Sequence, residues 1–204
     1  MYCMNCGHPL SESERSCPSC KTIRGTMLQQ AGSVKPGELL LLGRNEAGRH
    51  IMWQVLKVCD GKALIISYKN ICKKKYNDEF VETTWEKCTL RSWLNGEFLA
   101  KTFSSKEKEL IFSAYLRNDD NPDFGTPGGE PTTDNVFLLC IQEVNELFSG
   151  DVKSGNGSPW SLRSPGFHSE INVCCDSFGN CWNMESFVDS ECGIRPALWI
   201  KSSI

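Results

Sequence analysis

A chain of 204 residues, 40% hydrophobic and 10% aromatic, can form one full domain with a sizeable core and a small extra module. Its net charge of −3, without a basic stripe, argues against a nucleic-acid partner, because nucleic-acid binders present a basic face to the phosphates. No apolar run approaches the roughly 18 residues that cross a bilayer, and the polar, Cys-rich start is unlike a signal peptide. We therefore expect a cytoplasmic protein without a membrane partner, and because thiols are normally kept reduced there, its even count of twelve cysteines does not imply disulfides.

The opening segment, residues 1–24, contains two C-x2-C pairs separated by ten residues: Cys3, Cys6, Cys17 and Cys20. Four thiolates complete a closed tetrahedral shell around Zn²⁺, and a segment of about 25 residues cannot build a stable core without a metal. Two unconnected cysteine pairs or a redox C-x2-C are the alternatives. The spacing favours a zinc ribbon that binds one structural Zn²⁺ through all four cysteines and leaves His8 on the surface.

Residues 25–36 carry Gly, Ser and Pro with few large apolar side chains, as linkers do, so the main domain is expected over residues 37–204. Apolar runs on both sides of Asp60-Gly61 predict two strands joined by a tight hairpin turn. Apolar residues fall on both faces of the first strand around Trp53, which predicts that it is buried on both sides.

Two short helices are predicted next. The first begins near Thr89, and its stripe at three- and four-residue spacing comprises Leu90, Trp93, Leu94, Phe98 and Leu99. The second follows Ser104 or Ser105 as its N-cap. The inner face expected for this helix comprises Leu110, Ile111 and Ala114.

A polar loop is predicted over residues 117–135, and it contains Asp119, Asp120 and Asp123. Their carboxylates could bind Ca²⁺. Aspartates beside Pro and Gly are also common turn residues, and the regular spacing of a calcium loop is missing, so we favour turns. The apolar run over residues 135–141 then predicts a central strand.

Two strands are predicted in the tail. Residues 160–166 form one that ends in a Pro-Gly turn, and residues 194–200 form a closing strand interrupted by Pro196. Arg163 and Arg195 each lie in a strand that is otherwise poor in charge. A buried arginine needs carboxylate or carbonyl partners, so both are expected to have structural roles.

Six stretches of the chain occur in the same order in a bacterial family of uncharacterised domains: WQVLKV, LRSWLN, NPDFGTPGG, VFLL, WSLRSPG and GIRPALW. The resemblance covers roughly residues 37–202. That family resembles the C-type-lectin fold, in the branch shared with formylglycine-generating enzymes and with the variable proteins of diversity-generating retroelements. The resemblance implies an α+β, C-type-lectin-like domain with two short helices and a mixed, mostly antiparallel sheet, preceded by the zinc ribbon.

In those variable proteins, a segment before the closing strand is mutated at chosen codons and spreads over a ligand-binding surface. The matching segment here is residues 166–193. The ligand-binding residues that the resemblance implies are Phe167, His168, Glu170, Asn172, Cys174, Asp176, Phe178, Asn180, Trp182 and Asn183. The alternative is plain structure, since Ile171, Val173 and Cys175 alternate as the inner face of a hairpin would.

The cysteines of this segment are interpreted as outcomes of variation. Cys174 and Cys175 are adjacent, so their side chains point to opposite faces of a strand. Cys181 and Cys192 are isolated, and neither belongs to a C-x2-C pair.

We therefore predict a non-enzymatic ligand-binding protein. Its varied surface would bind an unknown protein or other macromolecule, and its ribbon would serve as an adaptor for a partner or for oligomerisation. One alternative is an oxidoreductase like the formylglycine generators, which bind copper through a cysteine pair, here Cys174 or Cys175 with Cys181. The other is a nucleic-acid-linked ribbon protein, which the acidic balance disfavours. No nucleophile–base–orienter set stands out around His8, His50 or His168.

Overall fold

A computed structural model describes residues 3, 8–19, 25–27, 32–148, 158–176, 180–182 and 186–203. In these ranges the fold is a mixed α/β arrangement made mostly of antiparallel strands, with a few short helices. None of the described helices is both long and apolar enough to span a membrane.

The first sheet is built around the hairpin predicted at Asp60-Gly61. Strands β3 (His50–Cys59) and β4 (Lys62–Ser67) pair antiparallel, and the two turn residues have φ values of 49° and 72°. Positive φ at both positions is what a tight two-residue hairpin turn requires, so this prediction is confirmed. The other strands of the sheet are β1 (Thr26–Met27), β2 (Leu39–Arg44), β6 (Ile111–Phe112) and β13 (Ala197–Lys201), in the order β1-β2-β3-β4-β13-β6.

Only one face of β3 belongs to the core. Trp53 and Val55 are buried, whereas Met52, Gln54 and Leu56 remain partly exposed. Successive side chains of a strand point to opposite faces, so this pattern is that of a strand with one covered face. The prediction that β3 is buried on both sides is wrong.

The segment predicted as a linker takes part in this sheet. Strand β1 pairs in parallel with β2, and Val34 is buried in the core. The amide of Val34 donates to the carbonyl of Ser202 at 3.0 Å, and Ser33 forms a bridge with Ser203. The described part of residues 25–36 is thus tied to both ends of the domain.

The first predicted helix is present but is interrupted. Helix α1 (Thr89–Trp93) continues into a π-helical turn (Leu94–Phe98) and then into α2 (Leu99–Thr102). Of the predicted stripe, Leu90, Leu94 and Phe98 are buried, and Trp93 and Leu99 pack against the core from partly exposed positions.

The second predicted helix is a single turn, α3 (Ser105–Lys108). Ser104 and Glu107 form the predicted N-terminal cap as a capping box. Ile111 and Ala114 were expected on the helix, but they lie in β6 and β7 (Ala114–Leu116). Ile111 pairs with Ile200 of β13, so sheet pairing replaces the helix there.

Residues 136–141 are buried, but the run 135–141 does not form the predicted strand. Strand β8 (Thr132–Asp134) ends before them and pairs with β7. Phe137 makes only an isolated bridge with Ala197. Cys140 ends the run as the N-cap of helix α4 (Ile141–Leu147), where its sulfur accepts the amide of Glu143.

The second sheet carries the tail, and its strand order is β11-β10-β9-β12-β5. Its members are β5 (Cys72–Lys75), β9 (Trp160–Pro165), β10 (Asn172–Cys175), β11 (Cys181–Trp182) and β12 (Glu191–Ile194). The strand predicted over residues 160–166 is confirmed as β9. The predicted closing strand is instead divided at Arg195 and Pro196, because β12 belongs to the second sheet and β13 to the first.

Both tail arginines are buried with structural partners, as predicted. Arg163 forms an ion pair with Glu143, and its Nη2 lies 3.2 Å from Oε1 of that carboxylate. Arg195 donates from Nε to the carbonyl of Ser67 at 3.1 Å, and its guanidinium lies 4.7 Å from the centre of the Trp160 ring. Arg163 therefore ties β9 to helix α4, and Arg195, between β12 and β13, joins β4 of the first sheet to β9 of the second.

Candidate functional site

Four loops around the second sheet are joined by hydrogen bonds: residues 76–88, 117–131, 166–171 and 186–190. The backbone bonds among them are Thr83 N to Ser169 O (3.0 Å), Asn77 N to Val188 O (2.7 Å) and Val188 N to Glu170 O (2.9 Å). The buried side chain of Asn121 adds the remaining loop, since its amide nitrogen donates to Gly166 O at 3.4 Å and to Pro165 O, at the end of β9, at 2.8 Å. The loops are therefore held together by directional contacts rather than by packing alone.

Large apolar side chains are exposed on these joined loops. Of the six exposed large hydrophobic residues in the described ranges, five lie here: Phe80 (57%), Val81 (46%), Phe124 (52%), Phe167 (37%) and Phe187 (48%). We call these five residues the aromatic surface. The sixth, Tyr115, lies on β7, so five of the six exposed positions fall on the four joined loops.

The rings of the aromatic surface are arranged in two edge-on pairs. Phe80 and Phe187 have centroids 5.4 Å apart, and Phe124 and Phe167 have centroids 6.1 Å apart. The ring of His168 lies 4.4 Å from that of Phe167. Each pair joins residues from two different loops, so the positions of the rings depend on the loop hydrogen bonds.

Of the aromatic surface and the adjoining His168, the sequence predicts only Phe167 and His168 as ligand-binding residues. Phe80 and Phe124 carried a weak signal, because each is a lone phenylalanine among acidic and turn residues, in DEFVE and PDFGT. Apolar side chains in such polar loops are candidates for exposure. Nothing in the sequence indicates that the loops of Phe80 and Phe187 meet.

The ten residues predicted for ligand binding differ in how far they are exposed to solvent. Phe167, His168 and Asn180 are exposed, whereas Glu170, Cys174 and Asp176 are partly exposed. Asn172 is only 1% exposed, so its side chain is not available to a ligand at the surface. Phe178, Asn183 and the side chain of Trp182 lie outside the part of the chain that the structure describes.

The hairpin interpretation accounts for the buried part of this segment. Ile171, Val173 and Cys175 are all buried, as the inner face of a strand would be. At the end of β10, Asp176 accepts both the backbone amide of Asn180 at 2.9 Å and its side-chain amide at 3.1 Å. Segment 166–193 thus combines a buried strand with exposed turns.

The adjacent cysteines of β10 point to opposite faces, as predicted. Cys175 forms a disulfide with Cys181, which faces it across β10 and β11 with a Cα–Cα distance of 3.8 Å. Cys174 instead faces Cys192 of β12, with 3.0 Å between the sulfur atoms. The sequence analysis predicted neither contact, because Cys181 and Cys192 are isolated in sequence and acquire their partners only through strand pairing.

The disulfide also bears on the copper-binding alternative. That alternative required Cys181 as a ligand, and this sulfur is bonded to Cys175. The facing pair is Cys174 and Cys192, which are 18 positions apart in sequence and lie on strands separated by β9. Sequence spacing alone cannot reveal a contact across an intervening strand.

The two facing thiols, Cys174 and Cys192, form what we call the thiol pair. Ser161 of β9 pairs with Cys174 in register, and its hydroxyl oxygen lies 3.6 Å from that sulfur. A serine leaves room for the sulfurs to meet over the middle strand. Gly193 allows the strands to approach, because a Cβ there would lie 2.4 Å from the carbonyl oxygen of Pro159.

The thiols of the pair have different acidities. The hydrogen bond that Cys174 donates lowers the pKa of Cys192 to about 7, with further help from Ser161. The same hydrogen bond, together with burial, raises the pKa of Cys174 well above its ordinary value. By contrast, burial raises the pKa of Cys88 to about 12 and that of Cys140 to about 11. Cys192 is therefore the sulfur best suited to be a thiolate near neutral pH.

The opening segment has two of its four predicted zinc ligands in the described ranges. Cys3 and Cys17 are both buried, and the amide of Cys3 donates to His8 O at 2.7 Å. His8 itself is exposed, as predicted. Cys6 and Cys20 lie outside the described residues. Within the described ranges, no three His, Cys, Asp or Glu side chains are grouped as metal ligands.

The three aspartates considered for Ca²⁺ make contacts within their loop. Asp119 forms an ion pair with Arg117 at 3.0 Å, and Asp120 accepts the amide of Gly128 at 3.0 Å. The amide of Asp123 donates to the side chain of Asn121 at 2.9 Å. These contacts are those of turn residues.

A cavity of about 860 Å³ lies between the β2–β3 turn, β5 and the π-helical turn. Charges of both signs line it, among them Arg44, Lys73, Lys75, Lys101, Glu46, Asp78, Glu97 and Glu191. Lys74 lies over the ring of Trp93 at 4.6 Å. Among the described residues of segment 166–193, only Glu191 lines the cavity, and none of the five residues of the aromatic surface does, so the cavity and the aromatic surface are separate features.

Comparison with known proteins identifies one family. The model of a family described as a domain of unknown function (DUF6273) matches residues 60–202. No curated protein and no solved structure shows a significant match to the chain. The matched span includes the whole aromatic surface and the thiol pair, whereas the opening segment lies outside it.

Proposed function

Because the chain belongs to the DUF6273 family, whose description assigns no activity, we propose from its own surface that it is a non-enzymatic ligand-binding protein. The observation that carries this proposal is the aromatic surface. Monomeric proteins rarely keep a large apolar patch exposed without a use. Aromatic side chains are also enriched where proteins bind proteins. The proposed ligand is accordingly a protein or another macromolecule with an apolar patch of its own.

The hydrogen bonds among the loops support binding because they fix the rings before the ligand arrives. Each ordered side chain that must be immobilised on binding costs roughly 0.5–1.5 kcal/mol. The four phenylalanine rings are already paired edge-on: Phe80 with Phe187 and Phe124 with Phe167. Much of the free energy needed to immobilise these side chains is therefore spent during folding and not on binding. A surface whose rings are already fixed favours a partner of complementary shape over nonspecific adhesion.

We also propose that the scaffold is C-type-lectin-like and that segment 166–193 is diversified by a retroelement. The division of this segment into buried and exposed positions is compatible with that proposal. Ile171, Val173 and Cys175 would keep the strand, while exposed positions such as Phe167, His168 and Asn180 could vary without loss of the fold. Sequencing the gene's surroundings tests this, since a reverse transcriptase and a near-copy of the coding segment should adjoin it.

For the opening segment we propose a zinc ribbon over residues 1–24 that acts as an adaptor. Buried Cys3 and Cys17 fit the role of thiolate ligands, because most of the other described residues of this segment are exposed. Zn²⁺ would supply the folding energy that so short a segment lacks. The four cysteines would hold it, and no reaction is assigned to it.

A cytoplasmic location completes the proposal. The disulfide between Cys175 and Cys181 makes this location testable, since the cytosol normally keeps thiols reduced. Alkylating the thiols inside intact cells before lysis would show whether the bond exists there. A bond present in every molecule would favour an oxidising compartment.

The binding function is tested by comparing partners of the wild-type protein with those of three variants. Two variants remove one ring pair each, Phe80→Ser with Phe187→Ser, and Phe124→Ser with Phe167→Ser. The control is Tyr115→Ser, which removes a more exposed ring outside the aromatic surface. A candidate partner is then purified and titrated against all four proteins by calorimetry.

We expect both surface variants to lose at least about 2 kcal/mol of binding free energy, roughly a thirtyfold rise in Kd. The control should bind as the wild type does. If the surface variants and the control bind every candidate partner equally well, the aromatic surface is not a binding site and the proposal fails.

A further inference from the structure

The thiol pair lies within segment 166–193 but outside the aromatic surface, and its chemistry does not depend on the proposed binding function. The sulfur atoms of Cys174 and Cys192 are 3.0 Å apart, about 1 Å longer than a disulfide bond. The two strands that carry them are held by β9 between them and by β5 on the outer side of β12. Only a small movement of two side chains separates this contact from a covalent bond.

We propose that Cys174 and Cys192 form a peroxide-sensitive oxidation site, at which a hydroperoxide converts the facing thiols into a second cross-strand disulfide. The choice of oxidant follows from access. Cys192 is 8% exposed, so a bulky disulfide such as oxidised glutathione does not reach its sulfur, whereas hydrogen peroxide is scarcely larger than water. Cys174 is more exposed and lies beside it.

The reaction proceeds in two balanced steps. The thiolate of Cys192 attacks one oxygen of hydrogen peroxide, the O–O bond breaks, and the departing hydroxide takes a proton to become water. Cys192 is then a sulfenic acid. The sulfur of Cys174 attacks the sulfenic sulfur, its proton leaves with the displaced hydroxide as a second water, and the S–S bond forms. Two thiols are oxidised by two electrons and one peroxide is reduced to two waters.

The surroundings of the pair favour this order of attack. Cys192 accepts the hydrogen bond of Cys174, and Lys73 of the neighbouring strand adds a positive charge, so Cys192 is the thiolate. Cys174 is then already placed to resolve the sulfenic acid. Cys88 and Cys140 lack this arrangement, since both cap helices and burial keeps both protonated.

A metal site is the less favoured use of the same sulfurs. A closed zinc shell takes four ligands, and within the described ranges no third His, Cys, Asp or Glu joins the pair. Oxidation needs only the two sulfurs that are present. Closing the bond would tie β10 to β12 and enclose the turns that carry Phe187.

The experiment uses the full chain, reduced with a mild dithiol and freed of the reductant. Hydrogen peroxide is added in steps, the remaining thiols are alkylated, and a non-reducing digest is mapped by mass spectrometry. We expect a peptide that links Cys174 to Cys192 to appear at lower peroxide than any modification of Cys88 or Cys140, and to disappear when the dithiol returns.

Two variants assign the roles. In Cys174→Ser, Cys192 should stop at a sulfenic acid that dimedone traps; in Cys192→Ser, Cys174 should remain unmodified at the same peroxide level. Cys140→Ser is the matched control and should oxidise as the wild type does. Absence of the linked peptide in the wild-type digest overturns the proposal, as does oxidation of Cys192 no faster than Cys140.

Discussion

Replacing Trp160 with alanine should nearly unfold the domain, because this side chain connects the second sheet to the rest of the core. Trp160 is 0% exposed, and truncating a buried tryptophan costs about 3–5 kcal/mol. Its ring also faces the guanidinium of Arg195 at 4.7 Å, a desolvated contact that adds about 2 kcal/mol. The loss of about 5 kcal/mol or more compares with a total of about 5–15 kcal/mol for ordinary domains.

Thermal unfolding followed by circular dichroism measures the effect. A chain of this length loses about 2–4 °C in Tm for each kcal/mol, so Trp160→Ala should lower Tm by about 10–20 °C or abolish the transition. Phe187→Ala is the control, and it should change stability by less than about 1 kcal/mol because its ring is exposed. A loss below about 1 kcal/mol for Trp160→Ala would refute the reasoning, since the ring could not then be buried against a buried cation.

Three further outcomes are expected. Metal analysis of the purified protein should give one zinc per chain, and Cys3→Ser with Cys6→Ser should remove it; an unchanged ratio would contradict the ribbon. Because the hydrogen bond from Cys174 lowers the pKa of Cys192, its thiolate should form as the pH rises through about 7, below the ordinary cysteine value of about 8.5. Its alkylation by iodoacetamide, followed by peptide mapping, should therefore reach half its maximal rate near pH 7, and a midpoint above 8.5 would exclude this assignment. Glu143→Gln should lower the free energy of unfolding, measured in urea, by about 3–5 kcal/mol, because it leaves the buried guanidinium of Arg163 without its carboxylate. A loss under about 1 kcal/mol would mean that water replaces the carboxylate.

Local signals in the sequence led to correct elements where the structure depends on local geometry. Asp60-Gly61 needs positive φ in both residues, and that requirement is visible in the residue types themselves. Ser104 and Glu107 similarly specify a helix start through contacts within four residues. Elements of this kind need no knowledge of distant partners.

Predictions failed where distant partners decide the structure. The run over residues 135–141 is apolar because it is buried, but a strand also needs a neighbour, and only Phe137 meets one. Ile111 fits a helical stripe, yet pairing with Ile200 places it in a sheet. In the candidate site, Phe167 was accessible to sequence reasoning, whereas the meeting of Phe80 with Phe187 is a product of the loop arrangement.

The contact between Ser33 and Ser203 has a consequence for protein engineering. These residues are bridged, and the next pair, Val34 and Ser202, is joined by a hydrogen bond of 3.0 Å. A domain whose two ends are neighbours can replace a surface loop of a host protein without stretching the host's flanking strands. Residues 32–203 therefore meet the geometric requirement for an insertable module, one that a host could carry while keeping its own fold.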